Sequence, residues 1–304
     1  MAYERISDAN EITARYMDRI LLTERLIGSK VADTSIEFLG ERFSSPVMTP
    51  AFSHLMAFKG REMTGLEEYS TAAKNLNILN FVGMMENDLF RKVAATGAKT
   101  VRIVKPYADN GKVRDQMKFA EEAGAWGIGM DIDHIFGPQG RDVVIGEEMD
   151  VQTEDMLRGY VESTRLPFFV KGVLSVEDAL KCAEIGAAAI IVSHHHGRLP
   201  YAVPPVAILP KIREALLSSG KALKIVVDCG ISSGADVYKC LALGADAAAV
   251  GRSMLPFLEE CGVEGVSKFI TGVTDELRYV MSFSGFAKVS DIDSSCLVLP
   301  RDIV

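Results

Sequence analysis

Residues 186–198 read G-A-A-A-I-I-V-S-H-H-H-G-R, and the order of residue types in this stretch decides the fold. A Gly-Ala pair marks the end of a helix, the apolar run AIIVS (189–193) follows without alternation, and side chains with acid-base chemistry stand where the run stops. Gly97-Ala98, Gly124-Ala125 and Gly244-Ala245 repeat the opening and lead into VRIVK (101–105), WGIGMDID (126–133) and AAAVGR (247–252). PVMTPAF (46–52), NILNFVG (77–83), LPFFVKGV (166–173) and KIVVDCG (224–230) are runs of the same kind. Short runs that are apolar on both faces read as buried parallel strands. Between them Asn110–Ala123, Ser175–Ile185 and Ser233–Leu243 have helical period, the last two opened by serine caps. Eight strand-helix units in roughly 210 residues predict an α/β fold of one domain, a closed (β/α)8 TIM barrel, rather than an open doubly wound sheet. No G-x-G-x-x-G follows the first strand, which weighs against a dinucleotide-binding sheet.

From this core the rest of the chain falls into place. Residues 1–45 are expected to cap the bottom or side of the barrel, and residues 46–304 to form the barrel with a C-terminal helix and tail. The longest irregular stretch, Ile135–Asp150, reads as a lid or a solvated loop. With 304 residues, 48% of them hydrophobic and 24% charged, the chain can bury a large core. Its 33 Lys and Arg against 41 Asp and Glu leave a charge of -8, which repels nucleic acid and anionic membranes as partners. No apolar run approaches the roughly 18 residues of a membrane span, and Met1–Asn10 lacks a signal pattern. Five cysteines without C-x-x-C spacing indicate neither a disulfide framework nor a zinc knuckle. The expected location is the cytoplasm.

In a barrel of this kind the chemistry collects at the C-terminal ends of the strands. All five histidines fall there: His54 after the first run, His134 after the fourth, and His194, His195 and His196 after the sixth. Lys105, Asp131, Asp133, Lys171 and Asp228 join them. The turns D-C-G-I-S-S-G (228–234) and V-G-R-S (250–253) each run into a helix, where free backbone N–H groups and glycines suit a phosphate, with Arg252 as a clamp.

V-K-G-V-L-S-V-E-D-A (170–179), the histidine stretch 186–198, D-C-G-I-S-S-G-A-D-V-Y-K-C-L-A-L-G-A (228–245) and V-G-R (250–252) together resemble the FMN-dependent α-hydroxy-acid oxidases and dehydrogenases, among them glycolate and lactate oxidase. The resemblance is nearly gapless from about Leu166 to Val289 and traceable from Pro46. It implies an FMN cofactor, a small-molecule 2-hydroxy-acid substrate and a homo-oligomer, commonly a tetramer or octamer. It implies that His195 is the catalytic base, Asp131 its partner, Arg198 the grip on the substrate carboxylate, and Lys171 the cation beside flavin N1 and O2. By the same resemblance Ser193, Asp228, Gly230, Gly251 and Arg252 contact the cofactor. A histidine near neutral pKa suits removal of the proton, and a carboxylate stabilises the imidazolium that forms.

Five positions depart from the family pattern. The signature S-N-H-G-G-R is here S-H-H-H-G-R, so His194 and His196 flank the base. Lys105, or Val104 after a shift of one residue, replaces a substrate tyrosine, while a second carboxylate-binding arginine falls on Pro138. Arg141 is its nearest replacement, with His134 another donor, and Ser232 stands where the family has an arginine on the flavin phosphate. Consecutive histidines point in different directions and make a poor tripod, so no metal is expected. Two other readings stay open: an FMN-dependent isomerase such as the type 2 isopentenyl-diphosphate isomerase, and a metal-dependent barrel hydrolase.

Overall fold

All eight runs become strands of one parallel sheet in the computed structural model, which describes residues 7–137 and 140–300. They are β1 (Val47–Met48), β2 (Asn80–Val82), β3 (Thr100–Val104), β4 (Gly127–Asp131), β5 (Phe168–Val173), β6 (Ala189–Val192), β7 (Lys224–Val227) and β8 (Ala247–Ala249). Each pairs in parallel with its sequence neighbour, and β8 pairs with β1. A bridge between Phe52 and Val82 brings β1 to β2 past the end of its ladder, so the barrel closes as the sequence predicts. β1 is short because Pro46 and Pro50 remove backbone donors on either side of it.

Strand parity sorts the side chains. Met48, Phe81, Val101, Ile103, Phe169, Ile191, Val226 and Ala249 fill the barrel interior. Val47, Val82, Ile128, Met130, Val170, Ile190 and Val227 alternate with them and pack under the helices. Continued toward the C-terminal ends, the inward parity lands on Lys105, Asp131, Asp133, Lys171, Ser193 and Asp228. Val104 belongs to the outward core, so Lys105 holds the position that the sequence left between the two residues.

The helices are α1 (Ala9–Asp18), α2 (Gly65–Leu76), α3 (Asn87–Ala95), α4 (Asn110–Glu122), α5 (Glu154–Glu162), α6 (Val176–Glu184), α7 (Pro205–Ser219), α8 (Gly234–Ala242) and α9 (Leu255–Phe283). Ser175 and Ser233 cap α6 and α8 by accepting from the N–H groups of Asp178 and Asp236. The residues before β1 divide between the two ends of the barrel. A hairpin, Ile36–Phe38 with Glu41–Phe43, plugs the N-terminal end with Phe38 stacked on Phe169 at 6.4 Å and Phe43 edge-on to Trp126. Helix α1 instead lies over the C-terminal ends of β6, β7 and β8, where Thr13 meets His194 and Asn10 meets Arg252. The stretch after β4 is folded into two hairpins, Phe136–Gly137 with Gly140–Arg141 and Val143–Val144 with Glu147–Glu148. Pro138 lies outside the described residues. This segment is fastened to the loop after β3 by Ala108 N–H to Glu148 O and Asp150 N–H to Pro106 O, both 2.9 Å.

The start of α8 leaves no room for a side chain at Gly234: a Cβ there would sit 2.2 Å from the Leu277 nitrogen and 2.4 Å from the Val273 oxygen of α9. Both are backbone atoms that cannot rotate away, so Gly234→Ala is expected to force α8 off α9 and cost about 3 kcal/mol. Urea unfolding of the two proteins measures it, and an unchanged midpoint would show that the helices part freely.

Candidate active site

Of the inward polar residues, Lys105, Lys171 and Asp228 line a cavity of about 680 Å³ at the C-terminal mouth of the barrel, a size suited to a small molecule or cofactor, while Asp131, Asp133 and Ser193 contact residues of its lining. Asp131, at the end of β4, is buried and held by two ammonium groups: Lys105 Nζ at 2.6 Å from Oδ2 and Lys171 Nζ at 3.2 Å from Oδ1. Burial opposes its charge, but Lys171 and Lys105 outweigh burial and hold the carboxyl well below the usual carboxylate range. Burial likewise opposes charge on Lys171, and Asp131, Asp133 and Asp228 overcome it and raise its pKa. Lys171 is therefore a fixed cation at the cavity wall.

His195 is oriented by a different carboxylate. Its Nδ1 lies 2.9 Å from Asp133 Oδ1 and 3.9 Å from Asp131 Oδ1, so Asp133 occupies the partner's place that the resemblance assigns to Asp131. The reason is local. Residues 131 and 133 share the inward parity, and Gly172 supplies the space: a Cβ on it would stand 2.3 Å from Asp133 Cγ. Gly172 has φ +91° and sits at a register shift in β5, a bulge that turns the strand end away from Asp133. Ser193 Oγ accepts from the His195 N–H at 3.0 Å and fixes the backbone of the base. With Nδ1 engaged, Nε2 of His195 has no protein partner among the described residues, and His195 lines the cavity.

His134 stands edge-on to His195 with ring centres 5.3 Å apart. Burial, Lys105 and Arg198 push its pKa down to about 4, which makes it a neutral donor or acceptor rather than a cation. Cys229 also lines the cavity, but burial and Asp228 raise its thiol to about 12, so it carries no thiolate nucleophile. Asp131, Asp133 and His195 bring three donor atoms within 4.8 Å of one another, but Lys105 and Lys171 already set two positive charges against that cluster.

Four of the sequence-selected residues are outside the cavity lining: Asp131 and Ser193, which contact residues of the lining, and Arg198 and Arg141, which are held by the segment after β4. Arg198 donates to Asp142 Oδ2 and to the Phe136 carbonyl at 3.0 Å, which ties it to the segment after β4. Arg141 pairs with Asp150 at 3.1 Å and is exposed. Neither faces the space beside His195, because the hairpins after β4 supply each with its own carboxylate. Sequence reading gave no role to Asp133, Asn10, Thr13 or Asp142. The period-two spacing of Asp131 and Asp133 was the available signal for the first; the others come from segments whose position only packing sets.

The other end of the cavity is a cradle for an anion. Gly230, Ile231, Ser232, Gly251 and Arg252 line it, and among the described residues the N–H groups of Gly230, Ile231, Gly251 and Arg252 have no acceptor. Unpartnered donors beside an arginine fit a phosphate, and Lys171 stands in the same cavity nearer His195. These residues fit FMN: Gly230, Gly251 and Arg252 at the β7–β8 corner would hold its phosphate, and Lys171 would supply a cation to the bound group.

Comparison with known proteins agrees with this arrangement. A family model described as FMN-dependent dehydrogenase matches residues 7–154 and 140–299. A peroxisomal (S)-2-hydroxyacid oxidase of Arabidopsis thaliana is 28% identical over 90% of this chain and 84% of its own length. An L-lactate oxidase of Alicycliphilus denitrificans is 42% identical over 47% of this chain, a match that spans 39% of that enzyme. A crystal structure of mandelate oxidase with 2-hydroxy-phenylacetamide superposes with a TM-score of 0.86 at 26% identity, covering 97% of this chain and 91% of that one. The barrel, the anion cradle and the family match lead to one conclusion: this chain belongs to the FMN-dependent dehydrogenase family.

Proposed function

We propose that this protein oxidises a 2-hydroxy acid to the 2-oxo acid, with His195 as base, Asp133 as the carboxylate that orients it, and FMN as acceptor. One observation carries the reading: His195 is fixed through Nδ1 by Asp133 at 2.9 Å and faces, with Nε2 unpartnered, the cavity that Lys171 and Lys105 also line. Bound FMN supplies the site that accepts a hydride equivalent at N5. The protein positions and deprotonates the substrate. Asp133 fixes the tautomer with hydrogen on Nδ1, so Nε2 accepts the substrate proton and the imidazolium is stabilised by the carboxylate. Lys171, a fixed cation at the cavity wall, would favour negative charge on the bound group.

The substrate carboxylate is received at Lys105 and His134, which line the cavity beside His195, whereas Arg198 and Arg141 do not. Lys105 supplies the charge, and His134, neutral with its pKa near 4, supplies a hydrogen bond. Ser193, Asp228, Gly230, Gly251 and Arg252 hold the cofactor. The relatives named oxidases of lactate and of (S)-2-hydroxy acids support this substrate class.

The test is the visible spectrum of the purified protein under nitrogen, before and after addition of a panel of 2-hydroxy acids. Flavin bands that bleach are the expected result. Bands that persist with every acid would refute the oxidation while leaving the cofactor. A cytoplasmic location, supported by five unpaired cysteines, and a tetramer or octamer belong to the same proposal. Light scattering tests the assembly. No helix among the described residues is long and apolar enough to cross a membrane.

A further inference from the structure

His196 stands in a place that resists a side chain. Its backbone has φ +63°, between His195 at +46° and Gly197 at +80°, a left-handed run in which the family signature has glycine at position 196. An L-residue held there stores strain, and such strain persists where the surroundings fix it. The surroundings do so from two elements. Asn10 of α1 receives His196 Nδ1 on its side-chain oxygen at 2.9 Å and donates to the His196 carbonyl at 3.1 Å. Arg252, after β8, donates to His196 Nε2 at 2.7 Å and to Asn10 at 2.8 Å. Nδ1 therefore carries the hydrogen and Nε2 is the acceptor.

Arg252 is the charged side chain at this end of the cavity. Ser232 replaces the arginine that the resemblance expects on the phosphate, and its hydroxyl and N–H are both turned to Asp236. His196 lines the cradle together with Ser232, Gly251 and Arg252. A phosphate entering there draws the Arg252 guanidinium and leaves His196 Nε2 without its donor, facing an anion with a lone pair. Taking one proton from solvent turns that nitrogen into a donor. We infer that His196 is the second cation of the flavin-phosphate site, a residue that binds a proton when the phosphate binds. The inference rests on the reading that this cavity holds FMN.

The charged and titratable groups facing His196 are Arg252 after β8, Asp8 at the cap of α1, and His194 and His195 on its own loop. Without phosphate, burial and Arg252 lower its pKa, which favours the neutral imidazole that the 2.7 Å contact of Arg252 with Nε2 requires. A bound phosphate raises that pKa. The advantage given by His196 is thus greatest at low pH and is lost as pH rises through the pKa of the complex.

Release of FMN on dilution of the holoprotein, read by flavin fluorescence, gives Kd for wild type, His196→Gln and His196→Gly, the last relieving the strained backbone so that folding is not in question. Both variants are expected to bind FMN about tenfold more weakly at about pH 6, the worth of one charge-assisted hydrogen bond, and no more weakly at about pH 8.5. Riboflavin, which lacks the phosphate, is expected to bind wild type and variants alike. A Kd ratio that stays constant across pH would reduce His196 to a support for Arg252 and overturn the inference. A ratio of one throughout, or an equal loss of riboflavin binding, would do so too. A wild-type protein that binds neither flavin would sink the cofactor reading itself.

Discussion

His195→Ala is expected to keep FMN and lose about 10³-fold in kcat on the 2-hydroxy acid that bleaches the wild-type flavin, about 4 kcal/mol of transition-state stabilisation. The side chain contributes the accepting Nε2, and no described neighbour can take over. His134, the nearest imidazole at 5.3 Å between ring centres, is packed beside the base and holds a pKa near 4, too weak a base for the proton. The cofactor contacts lie on other residues, so the flavin spectrum and FMN content are expected to match wild type. Stopped-flow reduction under nitrogen is the measurement. Unchanged substrate-driven reduction would remove His195 from the role of base.

The two aspartates are expected to fail in different ways. Asp133 contributes orientation through its 2.9 Å contact with Nδ1, while its other oxygen is buried without a hydrogen bond. Asp133→Asn offers the imidazole an uncharged partner that favours the wrong tautomer, and kcat is expected to fall on the order of 10²-fold with fold and FMN content intact. Asp131 contributes charge balance. Removing its carboxylate by Asp131→Asn deprives buried Lys105 and Lys171 of the carboxylate they share, at a cost of about 3–5 kcal/mol of stability. Thermal unfolding beside steady-state kinetics separates the two. If Asp133→Asn were silent while Asp131→Asn kept its stability and lost turnover, Asp131 would be the partner of the base after all.

How far the sequence reached can be followed residue by residue. The Gly-Ala pairs and the unalternating runs mark strands reliably because a strand buried on both faces admits only apolar side chains until it reaches the mouth of the barrel. For the same reason Lys105, Asp131, Lys171 and Asp228 stood out: a charge at the end of such a run has to face the cavity. Arg198 and Arg141 did not follow that logic. They lie beyond the strands, where parity no longer fixes direction, and hairpins that place Asp142 and Asp150 within reach decided their partners.

By itself the sequence determined the eight-stranded barrel and the end of it that carries the chemistry, because strand burial, helix caps and the turns after β7 and β8 are local properties of short segments; the flavin family came from the resemblance of the motifs at 170–179, 186–198, 228–245 and 250–252. Only the tertiary structure decided that Asp133 holds His195 while Asp131 balances two lysines, and that α1 lies over the phosphate corner with Asn10 between His196 and Arg252. Those choices turn on distances of about an ångström between residues far apart in the chain, and on a bulge at Gly172 that makes room for one carboxylate. Closing the barrel sets such distances; no single segment contains them.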